Sequence, residues 1–388
     1  MKSSAFPIAE AGPAYPAVVS FLCALCATLV FAAPRTEGAG IWQRLPVNQV
    51  RLHKDGEVGR RVDATIQSNL SVLKWDEDFI RPFVPGNRKS FAELTTGRQR
   101  FIGTGLTIDA AAKLAKYSGD PELIQRKARM IDAIVATQDS DGYIGVFARA
   151  ANDSQLWQEW CFHDAVYILN GLARDAIEFG TEASRRSSRL LAEFLIRQWS
   201  ARPRDSRFTT LGAYDAFFSM YEATGDRRYL EFVANEPMGK WYTIKPASLR
   251  EWQQELWPAG WHTRKKLSPE EQQKFEMCHM YRICDRVAAQ LHFMEIEGGT
   301  HLRTMADKVY SMMVRPENRG MLITGGVSDH EGWHEDQRGS GNVCESCATT
   351  HLLLMLDHLL RIDGDLRYGD ESENGVRLWG LGSGPIFC

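Results

Sequence analysis

The chain has 388 residues, a formal charge of −3, and 44% hydrophobic against 24% charged residues. That is an ordinary globular composition, long enough for two or three domains or for one large helical toroid. No block of like charge stands out, which argues against a nucleic-acid partner. Eleven tryptophans and eleven tyrosines supply rings for core packing or for stacking on sugars.

In chain order, the first element is an apolar, uncharged run from Ala17 to Ala33, AVVSFLCALCATLVFAA, ending in small residues. It reads as the apolar region of a secretory leader, so residues 1–33 are expected to be a signal peptide and the protein secreted or periplasmic. A membrane anchor is the alternative, although the run is short for a full span of about 20 residues. No later segment is apolar enough to cross a membrane, so no stable membrane partner is expected. Two of the eight cysteines, Cys23 and Cys26, fall in this leader. The others (Cys161, Cys278, Cys284, Cys344, Cys347 and Cys388) are too sparse for a disulfide scaffold.

Trp42 to Leu52 reads as extended. Beyond it the pattern is helix after helix. Ile108–Tyr117, Leu123–Thr137 and Ala165–Phe179 carry apolar residues at i, i+3, i+4 spacing. KYSGDPEL (Lys116–Leu123), EATGDRRYL (Glu222–Leu230) and RIDGDLRY (Arg361–Tyr368) repeat one punctuation. The glycine suits the position after a helix where φ is positive, and the aspartate suits the N-cap of the next helix. Looser versions stand at Glu178–Ser184 and Glu297–Arg303.

Helical hairpins in series predict an all-α fold, an incomplete (α/α)6 barrel over residues 45–370, with an open α-solenoid as the alternative. It is expected to be incomplete because the hairpin opened by Gly364 and Asp365 is followed by a glycine-rich stretch, 371–388, without an apolar period. That ending reads as a cut or frame-shifted gene, with a short natural tail as the alternative. An open toroid exposes apolar surface, so self-association is expected.

The residues able to do chemistry cluster late in the chain. GNVCESCATTHLLLMLDHLL (Gly341–Leu360) sets Cys344, Glu345 and Cys347 at the mouth of a helix. A C-x-x-C pair fits a thiol redox couple, part of a zinc site, or plain core and cap cysteines. The redox motif usually sits in a βαβ context, which is missing here. Zinc wants four ligands, or three and a water. Upstream, ITGGVSDHEGWHEDQRG (Ile323–Gly339) gathers Asp329, His330, Glu331, His334, Glu335 and Asp336 around Trp333. A carboxylate beside an indole suits a general acid, although a solvated acidic loop is commoner. His279 and His163 each stand at the start of a helical segment, where a histidine is more often structural than catalytic.

Taken in order, QDSDGYIG (Gln138–Gly145), WQEWCFHDAVYILNGL (Trp157–Leu172), HMYR (His279–Arg282), ITGG (Ile323–Gly326), EGW (Glu331–Trp333), CESCATT (Cys344–Thr350) and LLRIDGDLRYGD (Leu359–Asp370) resemble glycoside hydrolase family 127, the β-L-arabinofuranosidase-like family. The resemblance runs from roughly Leu45 to Asp370. It implies an (α/α)6 barrel followed by β-sandwiches, and retaining cleavage of terminal sugars by a cysteine nucleophile beside a bound zinc. The implied substrate is a glycan, of the arabinofuranoside type. By resemblance Glu345 and Cys347 are zinc ligands, and Glu331, ahead of Trp333, is the general acid/base. Glu335 is a less favoured candidate for that role. His279 contacts substrate, and His163 and Trp333 join it in the sugar pocket. The adjacent downstream cysteines that complete the family's site, one of them the nucleophile, have no match in this sequence. The expectation is therefore a glycoside hydrolase relative whose own turnover is in question. A carbohydrate-binding or vestigial helical domain is the competing reading, and a thiol redox module the third.

Overall fold

The computed structural model describes residues 42–90, 102–149, 159–201, 213–235, 280–300, 302–314 and 346–382. Its helices are α1 (Glu57–Ala64), α2 (Ile102–Ser118), α3 (Pro121–Val135), α4 (Glu159–Phe179), α5 (Glu182–Ala201), α6 (Ala213–Thr224), α7 (Arg228–Asn235), α8 (Met280–Glu297), α9 (Arg303–Val314), α10 (Ser346–Asp363) and α11 (Leu366–Gly382). Among the described residues the one strand-like pairing is a single bridge between Lys89 and Phe147.

The punctuation in the sequence makes the hairpins. Gly119, Gly180, Gly225, Gly298 and Gly364 all adopt φ between 66° and 80°. This left-handed conformation is costly for a residue with a Cβ. Each follows the C-terminus of one helix and turns the chain back. Asp120 then caps α3, its carboxylate accepting from the Glu122 and Leu123 amides. Asp226 and Asp365 do the same for the amides of Arg228 and Arg367, each at 3.0 Å.

Burial separates two kinds of helix. α3 buries one stripe, Leu123, Lys127, Met130, Ile131 and Ile134, as a surface helix does. α4 is buried nearly all round, at Ala165, Val166, Ile168, Leu169, Leu172, Ala173 and Ala176 among others. It is an inner helix. So are α2, α6, α8 and α10, each paired with an outer helix that follows it.

The inner helices run parallel. A Cβ on Gly105 of α2 would lie 2.4 Å from the Tyr167 carbonyl of α4, and one on Gly171 would lie 2.8 Å from the Gly105 carbonyl. Two glycines thus let α2 and α4 touch backbone to backbone. Further along, Asn170 of α4 accepts from Ser219 of α6 at 2.8 Å, and Glu222 of α6 stands 3.5 Å from His292 of α8. Tyr281 and His351, at the starts of α8 and α10, are also neighbours. Their N-termini therefore share one end of an α/α-barrel type of fold.

The last hairpin is more complete than the sequence implied. Residues 371–382 continue α11, and α11 packs against α1, so the last hairpin meets the first segment. The pattern was missed because Gly375 is buried two turns beyond the buried Tyr368. A glycine on a packed face contributes no apolar side chain to a period. Trp42–Leu52 is not a strand either. It holds a 3-10 turn at Val47–Gln49, entered through Pro46, and Trp42 donates its amide to the Arg361 carbonyl at 3.1 Å.

The C-terminal end of the inner helices is closed by charge. Arg361 donates to Glu295 at 2.7 Å and to Asp357 at 3.2 Å, and Arg44 also donates to Asp357. His358 Nδ1 lies 2.7 Å from Arg361 Nη2 and 3.2 Å from Glu295. One nitrogen cannot accept from the guanidinium and donate to the carboxylate together. The shorter contact, with an obligate donor, makes Nδ1 an acceptor and the ring neutral. Burial accordingly pushes His358 down to about 4, against the opposing pull of Glu295. Burial also opposes ionisation of Glu222, but the His292 bond and the Arg174 charge outweigh it and bring that carboxyl to about 2.

Candidate functional site

The turns joining inner to outer helices are tight, and all stand at the charged end. The stretches of sequence between an outer helix and the inner helix that follows it are longer: 136–158, 202–212, 236–279 and 315–345. The chain enters the inner helices at their N-terminal end, and loops carried on a rigid scaffold are where binding residues concentrate. His279, Glu331, Trp333 and Glu345, with Cys344, belong to these segments and lie outside the described residues. His163 falls in the first turns of α4, and its side chain is likewise outside the described set. Cys347 is described, partly buried in the first turn of α10.

Around Cys347 the structure gathers residues that the sequence did not single out. His351, one turn along α10, donates from Nδ1 to the Cys347 carbonyl at 2.8 Å. Its Nε2 stands 3.6 Å from Asp285 of α8, whose side chain is 2% exposed. The Tyr281 ring meets the His351 ring edge-on at 4.2 Å. The Tyr281 hydroxyl bonds that of Tyr167, which reaches in from α4. Burial, then the Asp285 carboxylate, raise the Tyr167 phenol far above its ordinary value. Burial, then Tyr167 and Asp285, do the same for Tyr281. Both hydroxyls stay protonated and serve as neutral hydrogen-bonding groups. Tyr281 was within sight as the third residue of HMYR, and His351 as the i+4 neighbour of Cys347. Tyr167 and Asp285 carried no local signal.

The QDSDGYIG turn stands at the same end, between α3 and the start of α4. Arg88, its side chain 3% exposed, grips Asp139 through both carboxylate oxygens at 3.0 and 2.8 Å. It also donates to the Thr137 carbonyl at 2.6 Å. Gln138 donates to the Gly142 and Ser187 carbonyls, each at 3.0 Å. Gly142 has φ 102°, and a Cβ there would strike the Leu190 carbonyl at 2.3 Å. In this structure the motif is a folding element: it ties the α3–α4 connection to α5.

Zinc needs donors that converge. Among the described residues, no three His, Cys, Asp or Glu side chains come close enough to share a metal ion. The described part of the Cys347 neighbourhood therefore does not make a zinc site by itself. No described helix is long and apolar enough to cross a membrane.

Helices paired in series, the inner ones parallel, define the class as an α/α-barrel type of protein. The family model described as the β-L-arabinofuranosidase GH127 catalytic domain matches residues 57–376, and the chain belongs to that family. A solved GH127 β-arabinofuranosidase superposes with a TM-score of 0.63 at 17% identity, over 89% of this chain and 55% of the other. The GH127 β-L-arabinofuranosidase Ara127N-Se from Geobacillus stearothermophilus T6 gives 0.64 at 16% identity, over 85% and 56%. A structure described as a glycoside hydrolase gives 0.55 at 15%, over 82% and 48%. The chain thus spans about half the length of these solved proteins, and at these identities the likeness shows the fold. No curated protein sequence matches it.

Proposed function

We propose that this chain is a glycan-acting protein of the GH127 kind, binding a terminal arabinofuranoside-type sugar over the N-termini of its inner helices. The observation that carries the reading is the gathering of Cys347, His351, Tyr281, Asp285 and Tyr167 at the N-terminal end of the inner helices. In the sequence His163 and Cys347 fall in the first turns of α4 and α10, and His279 immediately precedes α8. A family-model match over residues 57–376 supports the same reading.

The proposed roles follow the resemblance. Glu331, beside Trp333, would protonate the departing sugar oxygen, and His279 and His163 would hold the ring. Glu345 and Cys347 are the residues of this chain that would hold a zinc. When bound, that ion would stabilise a nearby thiolate. The nucleophilic thiol of a retaining cycle has no assigned residue here, so the proposal covers sugar recognition and acid assistance rather than the whole cycle. The leader-like run at 17–33 supports export, towards extracellular or periplasmic glycans.

Titration of the whole chain with methyl β-L-arabinofuranoside, followed by ligand-observed NMR, tests the proposal. Saturable binding that is abolished by His279→Ala is expected. Absence of saturable binding, or equal binding by the variant, would remove the sugar-site reading.

A further inference from the structure

We infer that His351 is a positioning residue, which together with Asp285 and Tyr281 fixes the first turn of α10 and so the place of Cys347. The inference deepens the proposed function, because Cys347 has a role only if that end is the sugar site. Its geometry stands apart from that role.

The first turn of a helix is its weakest part. Its residues have lost intrahelical partners on one side, and the turn frays unless something outside holds it. Cys347 is the second residue of α10. In a regular helix its carbonyl accepts the His351 amide, and here the same carbonyl also accepts His351 Nδ1 at 2.8 Å. One side chain thus locks the turn that carries the cysteine. The lock needs an anchor, since an imidazole free to rotate holds nothing. On one side buried Asp285 stands 3.6 Å from the other ring nitrogen, beyond hydrogen-bond distance, and bounds the ring by contact. On another, the Tyr281 ring lies edge-on at 4.2 Å. Tyr281 is itself held by the Tyr167 hydroxyl, 114 positions away in sequence. The backbone beneath Tyr167 is pressed against Gly105 of α2. The chain of contacts runs from α2 through α4 and α8 to the cysteine on α10. His351→Asn keeps a donor at shorter reach, and His351→Ala removes it.

Peptide-resolved alkylation of the whole chain by iodoacetamide, metal-free and at one pH, reads the position of Cys347 without any sugar. Buried Cys284, on α8, serves as the internal reference. His351→Ala is expected to speed alkylation of Cys347 about fivefold, the worth of one ordinary hydrogen bond, with Cys284 unchanged. His351→Asn should restore most of the wild-type rate, and Asp285→Asn should fall between. A Cys347 rate unmoved by His351→Ala overturns the inference. A parallel rise at Cys284 overturns it as well, because it would show general loosening instead. If alkylation behaves as expected while no arabinofuranoside binds, the positioning role stands and the sugar-site reading fails.

Discussion

Replacing Asp175 with alanine should destabilise the fold more than almost any other single change outside the candidate site. Asp175 is fully buried on α4, and its Oδ1 accepts from Lys127 Nζ of α3 at 2.5 Å, with the lysine side chain only 5% exposed. The other oxygen accepts from Ser184 of α5. The ammonium also lies 3.8 Å from the centre of the Phe179 ring. One carboxylate therefore ties an inner helix to two outer ones, and without it a charged ammonium is left in a dry core. Breaking a buried pair from one side costs about 3–5 kcal/mol. Replacing both partners with apolar groups of similar size is close to neutral by the same reasoning. Denaturant unfolding at neutral pH, followed by circular dichroism, measures both. The expected pattern is a large loss for Asp175→Ala and a much smaller one for Lys127→Met/Asp175→Leu. A loss below about 1 kcal/mol for the single variant would refute the idea that this pair is desolvated and coupled.

Three further outcomes follow. His358, pushed down to about 4 by burial, binds its proton more weakly in the folded chain than in the unfolded one, where the ordinary value is about 6.5. Its contribution is thus complete above about pH 6.5 and lost as pH falls towards 4, on the order of 3 kcal/mol in all. His358→Gln should flatten the stability profile in that window, and an unchanged slope would show that the ring is not buried neutral. Gly105→Ala puts a methyl 2.4 Å from the Tyr167 carbonyl, so α2 and α4 must part. A loss of about 1–3 kcal/mol is expected, and a thermal midpoint equal to wild type would contradict the close approach. Elemental analysis should find less zinc retained by Cys347→Ser than by wild type, and equal amounts would take Cys347 out of the ligand set.

The hairpin joints were legible because a reversal at positive φ asks for glycine and the next helix asks for a capping aspartate. Both demands are local. Helix identity was legible for α2, α3 and α4 from apolar spacing, and the start of α10 near Cys347 from the apolar run that follows it. What the chain hid is non-local. Nothing around Gly105 or Gly171 announces that two inner helices meet there, since a glycine within a helix reads only as a weak point. The second half of α11 was hidden for the same reason, at buried Gly375. Tyr167 and Tyr281 meet across 114 positions, a pairing that only the packing of α4 beside α8 creates. The charged end was also invisible: Arg44, Glu222, Glu295, Asp357 and Arg361 look like ordinary surface residues until the C-terminal ends of the inner helices are brought together.

The most direct measurement of the central claim is whether a furanoside shields Cys347. Alkylation of the whole chain is timed with and without saturating methyl β-L-arabinofuranoside, peptide by peptide, and a sugar of unrelated shape serves as the control. The arabinofuranoside is expected to slow the reaction at Cys347 severalfold, and the control sugar to have no effect. Equal rates at Cys347, with binding shown independently, would place the sugar elsewhere on the molecule and contradict the site described here.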